Sequence, residues 1–262
     1  MKERNTNLSI TIIQTELVWE QTDRNLDHFK IKIDEISHDT DLVILPEMFT
    51  TGFSMQPERL AEPTDGKTLK WMQSVAAEKN VTLTGSLIIR ENNNYYNRLF
   101  VVPPEGDYKI YDKRHLFRMG EENKHYTAGD KKVIFNLGNW RILPLICYDL
   151  RFPVWSRNHN DYDLALYIAN WPEVRRYVWR SLLIARALEN QVYVAGVNRI
   201  GRDGNDLTYS GDSMVIDPRG NILSTTEPHK ESVETLLLSL DELNRFREKF
   251  PVGKDADEFV IK

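Results

Sequence analysis

Two short segments, DLVILPE (residues 41–47) and DLALYIA (163–169), are apolar almost from end to end. Successive side chains of a strand point to opposite faces, so a half-buried strand alternates apolar and polar residues. Strands without that alternation need cover on both faces, as in a sheet with a layer packed on each side. Other segments can supply the cover. TDRNLDHFKIKIDEISHD (22–39) opens on Thr and Asp and places Leu26, Phe29, Ile33 and Ile36 at helical spacing. GKTLKWMQSVAAEKN (66–80) reads as a second helix, and a long one is expected near 175–189.

The remaining elements fall between these. LSITIIQTEL alternates and suggests a first strand; VTLTGSLII, KVIFNL, WRILPLIC and QVYVAGVN read as strands too. The polar ENNNYYN predicts a hairpin turn into RLFVV, and KIYDKRHL begins as a strand before a polar loop through Asp130. A helix is expected from Pro153. TYSGDSMVIDP, the turn PRGN and SVETLLLSL read as hairpins, followed by a terminal helix, DELNRFREKF. Crossover helices demand sheet faces that bury them, so the order predicts an α/β fold with mixed sheets, helices outside and room for a two-sheet core. With no low-complexity linker and no repeat, residues 1–262 read as one domain.

Composition narrows the function classes. A net charge of −5 and the lack of a long basic block argue against a nucleic-acid partner. A single cysteine excludes an intrachain disulfide and any multi-cysteine metal site, which makes a reducing cytoplasm the simplest home. The segment MKERNTNLSITIIQTELVW lacks the long apolar stretch and small-residue cleavage site of a signal peptide, and no window approaches the length of a membrane span.

In α/β folds, sites gather at the carboxyl ends of strands. Glu47 ends DLVILPE, Lys113 ends YKIYDK, Cys147 ends WRILPLIC, and Asn170 and Trp171 end DLALYIANW. Singly, each has an ordinary reading: a core thiol, or a solvated cap. Jointly, they suggest a chemistry. An ammonium lowers the pKa of a nearby thiol, and Lys113 can also stabilise an oxyanion formed when the thiolate attacks a carbonyl. Glu47 can take the thiol proton and later pass it to a leaving amine. Amide cleavage would then run through a thioester that water hydrolyses.

LPEMFTTGF, YDKRHLF and ICYDLRFPVWSRN resemble, in order, the three catalytic motifs of the nitrilase superfamily of carbon–nitrogen hydrolases. The resemblance extends from the ITIIQTEL strand to FREKFP. It implies a four-layer α-β-β-α sandwich with two mixed sheets packed face to face. It also implies Glu47 as base, Lys113 as oxyanion stabiliser and Cys147 as nucleophile. The family often carries a second glutamate after the lysine; EENKHYTAG offers Glu121 and Glu122, and counting back from Gly129 favours Glu122. The backbone N–H of Tyr148 resembles the family's second oxyanion donor, while Asp149 and Arg151 are expected to shape the turn. ANWPEVRRYVW, ARALENQVYVAGVNR and FREKFPVGKDAD resemble bacterial omega-amidases, which release ammonia from the distal amide of 2-oxoglutaramate or 2-oxosuccinamate. Such a substrate needs a cation for its carboxylate. Arg175 is the candidate, with Arg176 in reserve, and Phe53, Phe117 and Trp171 are candidate pocket walls.

Other readings stay open at this level. A nitrile or an N-carbamoyl substrate would use the same trio. His115, two residues past Lys113, could make a Cys–His hydrolase. A sandwich that only binds partners is a third possibility, and a thiol inert to alkylation at neutral pH would favour it. The resemblance implies a small-molecule amide substrate, a homodimer, and no metal or organic cofactor.

Overall fold

A computed structural model describes residues 6–36 and 38–261 of the protein. The reading of the N-terminal segment over residues 1–5, and that of position 37 in the first helical run, lie outside the described residues. Strand β1 (Asn7–Gln14) leads through helix α1 (Thr22–Asp34) to β2 (Leu42–Ile44). A short helix α2 (Pro57–Leu60) and strand β3 (Glu62–Pro63) precede α3 (Lys67–Lys79). The hairpin β4 (Thr82–Glu91) and β5 (Asn94–Val102) continues into β6 (Lys109–Asp112). After α4 (Glu122–His125) come β7 (Phe135–Leu137), β8 (Trp140–Ile146), β9 (Leu164–Ala169), α5 (Arg176–Asn190) and β10 (Tyr193–Asn198). The small hairpin β11 (Ile200–Arg202) and β12 (Thr208–Ser210) is followed by β13 (Met214–Ile216), β14 (Ser232–Ser239) and α6 (Leu240–Lys249).

The strands form two mixed sheets. A seven-stranded sheet runs β14-β1-β2-β4-β5-β6, with β3 beside β4, and a five-stranded sheet runs β13-β10-β9-β8-β7. Each has a parallel centre (β1, β2 and β4; β8, β9 and β10) with antiparallel neighbours outside, apart from the short β3, which runs parallel to β4. The period of two explains why DLVILPE is apolar throughout. Leu42 and Ile44 join the core between the sheets, together with Ile142, Leu164 and Leu166. Val43 and Leu45 face the other way, into a second core with Leu26, Phe29 and Ile33 of α1 and Leu69, Met72 and Val75 of α3. Helix α5 covers the second sheet with Trp179, Leu183 and Ala187. At roughly 1.5–3 kcal/mol per fully buried large apolar side chain, these two cores dominate the folding free energy. Helix, sheet, sheet, helix is the expected four-layer sandwich.

Two expectations are corrected. No helix starts at Pro153: only a 3-10 turn, Cys147–Arg151, follows β8, and the chain then runs in turns. The segment closes single turns, with Trp155 N donating to Phe152 O at 3.2 Å and Arg157 N to Val154 O at 3.4 Å, and Asn158 Oδ1 then holds the next turn by accepting from the N–H groups of Asp161 (3.0 Å) and Tyr162 (3.4 Å). The last hairpins also pair differently. The turn at PRGN closes on itself, with Asp217 N donating to Asn221 O at 2.9 Å, but β14 then crosses to the other sheet and runs antiparallel to β1 along its whole length.

Candidate active site

Three loops at strand ends carry the expected residues to one place. Beyond β2, Met48 takes a left-handed backbone conformation (φ 43°), and its N–H donates to Ser86 Oγ at 2.8 Å. The turn leaves Glu47 wholly buried. Glu47 Oε1 accepts from Lys113 Nζ at 2.8 Å and from Asn97 Nδ2 at 2.7 Å; its Oε2 accepts from the Asn170 N–H at 2.8 Å. Lys113, past the end of β6, also donates to Glu122 Oε1 at 3.0 Å. Glu122 reaches it because the intervening loop folds back: Gly129 N donates to Lys113 O at 2.9 Å, and a Cβ at Gly129 would lie 2.2 Å from Asp112 O. Only glycine allows that approach. Glu122 Oε2 is pinned in turn by the Phe117 N–H at 2.6 Å. Glu121 points elsewhere, pairing with Lys124 at the surface.

Cys147 ends β8 with φ 44°, a strained conformation for a residue with a side chain. The turn is held by Asp149, whose Oδ2 accepts from Ile146 N (3.0 Å) and Tyr111 OH (2.7 Å), and whose Oδ1 accepts from His115 N (3.0 Å). Arg186 adds a bond from Nη2 to Leu150 O at 2.7 Å. His115 is committed to Asp149 through Nδ1 (2.8 Å) and stacks on Phe152 at 3.8 Å between ring centroids, which removes it as an imidazole partner for the thiol.

The electrostatics revise one expectation. Burial alone would pull the Lys113 ammonium down, but the Glu122 and Glu47 carboxylates overcome it and hold Lys113 above its ordinary value. Burial pushes the Glu122 carboxyl up, against the pull of Lys113. Burial and then the Glu47 carboxylate push the Cys147 thiol well above its usual range; Lys113 acts in the opposite direction and is outweighed. These influences favour a protonated Cys147 thiol over a thiolate pre-formed by the lysine.

Cys147 and Lys113 open onto a cavity of about 140 Å³. Phe53, Phe117, Trp171, Tyr148 and Arg175 line it, and Lys113 Nζ stands 5.0 Å from the centre of the Phe53 ring. Tyr148 is the second residue of the 3-10 turn, where the first N–H groups have no partner inside the turn. Arg175 lies over Phe117 at 5.4 Å. Arg176 does not reach the cavity: its guanidinium is engaged by Asp212 at 2.7 and 3.0 Å. The second pocket cation is instead Arg151, stacked over Trp171 at 5.2 Å. Among the described residues, neither Arg175 nor Arg151 has a carboxylate ion partner. Sequence reasoning also missed the far wall, the loop between β11 and β12. There Asp203 accepts from Asn205 N (2.8 Å) and Leu207 N (3.0 Å) through Oδ1 and from Tyr209 OH (2.8 Å) through Oδ2, which fixes the loop against the cavity. Asn97 was missed as well. It lies inside a strand, where no motif marks it.

Residues 9–248 match the carbon–nitrogen hydrolase family. An omega-amidase of Escherichia coli strain K12, YafV, is 49% identical over 97% of this chain and 98% of its own length. A 2-oxoglutaramate amidase of Bacillus subtilis is 33% identical over 94% of this chain and 96% of its own. The crystal structure of XC1258 from Xanthomonas campestris, a CN-hydrolase superfamily protein with an arsenic adduct in the active site, superposes with a TM-score of 0.95 at 42% identity, covering 98% of this chain and 99% of that one. No described helix is long and apolar enough to cross a membrane. The chain belongs to the carbon–nitrogen hydrolase family, in the nitrilase superfamily.

Proposed function

We propose that the protein is an omega-amidase that releases ammonia from the distal amide of a short 2-oxo dicarboxylic acid, 2-oxoglutaramate or 2-oxosuccinamate. The observation that carries this reading is the buried Glu47–Lys113–Glu122 cluster beside the Cys147 thiol, at the floor of a small cavity that also holds two guanidinium groups without carboxylate partners. Substrate choice leans on the omega-amidase and 2-oxoglutaramate amidase relatives.

In this mechanism the thiol attacks the amide carbon while its proton passes to Glu47. The carbonyl oxygen, now an oxyanion, is met by the Lys113 ammonium and the Tyr148 N–H. Glu47 returns the proton to the amide nitrogen, the C–N bond breaks, and ammonia leaves a Cys147 thioester. Water, deprotonated by Glu47, attacks the thioester and frees the dicarboxylate and the thiol. Glu122 holds Lys113 in place. Glu47 thus carries the proton in both halves, which suits a thiol that is protonated at rest. Arg175 and Arg151 take the far carboxylate, and Phe53, Phe117 and Trp171 exclude water. The same proposal includes a single catalytic domain over residues 1–262, a cytoplasmic setting and a homodimer, the last to be checked by sedimentation.

The test is an ammonia-release screen over 2-oxo-acid amides, glutamine, asparagine, N-carbamoyl compounds and nitriles. Highest kcat/KM on the 2-oxo-acid amides supports the reading. Preference for a nitrile or an N-carbamoyl compound moves the protein to another reaction of the superfamily.

A further inference from the structure

Asn97 is wholly buried within β5. Its Nδ2 donates to Glu47 Oε1 at 2.7 Å and reaches Glu122 Oε1 at 3.4 Å, the same two oxygens that accept from Lys113 Nζ. Its backbone oxygen accepts from Lys113 N at 3.0 Å. Its Oδ1 is buried and has no hydrogen-bond partner among the described residues. The amide cannot be turned round, because Oδ1 would then face two carboxylate oxygens with no proton between them. The chain thus keeps a buried acceptor unpaired, which is costly. A leucine would fill the space without that cost. Packing gives no reason for an amide at this position; its two N–H groups, offered toward two carboxylates, do.

The neighbours show why that donation matters. Around the pair stand Lys113 after β6, Cys147 after β8 and the Tyr126 phenol after α4, while the Tyr209 phenol of β12 lines the same cavity as Cys147. Lys113 is the single cation of this buried group, set between two carboxylates that repel each other. A neutral donor shared by both relieves the repulsion without adding charge.

We propose that Asn97 is a positioning residue whose amide nitrogen bridges Glu47 and Glu122, keeps the Glu47 carboxylate ready to accept the Cys147 proton, and thereby sets the lower pH limit of activity. This rests on the reading of Glu47 as the base for Cys147. Hydrogen bonds to a carboxylate favour its charged form, so their loss moves the limit upward. The carboxylates are coupled, and the limb belongs to the pair.

The test compares Asn97→Leu and Asn97→Ala with the unaltered protein, measuring kcat/KM for ammonia release from 2-oxoglutaramate across roughly pH 5 to 9. In parallel, iodoacetamide alkylation of Cys147 is followed by mass over the same range. The expected result is an acid limb displaced upward by about one pH unit, roughly a tenfold loss on the acid side that recovers on the alkaline side. The alkylation profile should move in step, with melting temperature retained. A uniform, pH-independent loss, an unmoved profile, or failure of both variants to fold overturns the proposal and leaves Asn97 a packing residue. The parent reading fails separately: Cys147→Ala that still releases ammonia, or alkylation indifferent to Glu47→Gln, removes it.

Discussion

Tyr111 donates its hydroxyl hydrogen to Asp149 Oδ2 at 2.7 Å, joining the last strand of one sheet to the turn that presents Cys147 at the end of β8 in the other. The same hydroxyl accepts from Trp155 Nε1 at 3.1 Å, and both partners of the bond are buried. Asp149→Ala strands the donors of Tyr111, Ile146 and His115 together. Each buried donor left without an acceptor costs roughly 1–3 kcal/mol. The expected outcome is a large drop in melting temperature with ammonia release lost, whereas Tyr111→Phe costs about 1–3 kcal/mol and keeps part of the activity. Equal melting temperatures for Asp149→Ala and the unaltered protein would contradict the strut.

Cys147→Ala should abolish ammonia release and leave the circular dichroism of the folded chain unchanged. Since the resting thiol is protonated, Glu47→Gln should slow iodoacetamide alkylation of Cys147 at neutral pH by about 10²-fold or more, the usual scale of a general base. Equal alkylation rates would mean that the thiol ionises without Glu47.

Arg175→Ala and Arg151→Ala should each raise KM for 2-oxo-acid amides by roughly 10-fold or more, the scale of one lost charge-assisted hydrogen bond. A short neutral amide should be affected much less. Arg176→Ala, which removes one of the partners of Asp212 and nothing from the pocket, should leave that discrimination intact. If Arg176→Ala instead matched Arg175→Ala in steady-state kinetics, Arg176 would have to be counted with the pocket as well.

Acid stability should depend on Asp163. Burial raises its carboxyl, but hydrogen bonds from Arg141 and Arg247 outweigh that and hold it below its ordinary value. A carboxyl lowered by folding stabilises the native state above its unfolded pKa of about 3.9, and that contribution disappears as pH falls through the lower folded value. Asp163→Asn should therefore cost roughly 2–3 kcal/mol at neutral pH. Denaturant titrations at pH 7 and below pH 3 should show the gap between variant and unaltered protein closing on the acid side; a constant gap would exclude the linkage.

Much of the fold was legible because burial on two faces leaves an uninterrupted apolar run, as in Leu42–Leu45, and because Glu47 and Cys147 sit where such runs end and Lys113 sits at the end of a strand. Pairing was less legible. Nothing local tells Leu236 that it lies opposite Ile10, since that register depends on the chain crossing between sheets. Arg175 and Arg176 could not be separated by sequence, because adjacent positions at a helix start point in different directions and the carboxylate that claims Arg176 lies at Asp212. Arg151 was assigned to the turn, yet its guanidinium swings over Trp171 into the cavity. The thiol's proton affinity was misjudged because the sequence shows a lysine nearby but not how little water remains.

The left-handed backbone at Cys147 has a consequence for evolution and for engineering alike. A thiol occupies a bend that glycine would enter freely, so reactivity here is kept at the expense of conformational ease. Cys147→Gly, though inert and smaller, should melt above Cys147→Ala, which retains a Cβ in the disfavoured geometry.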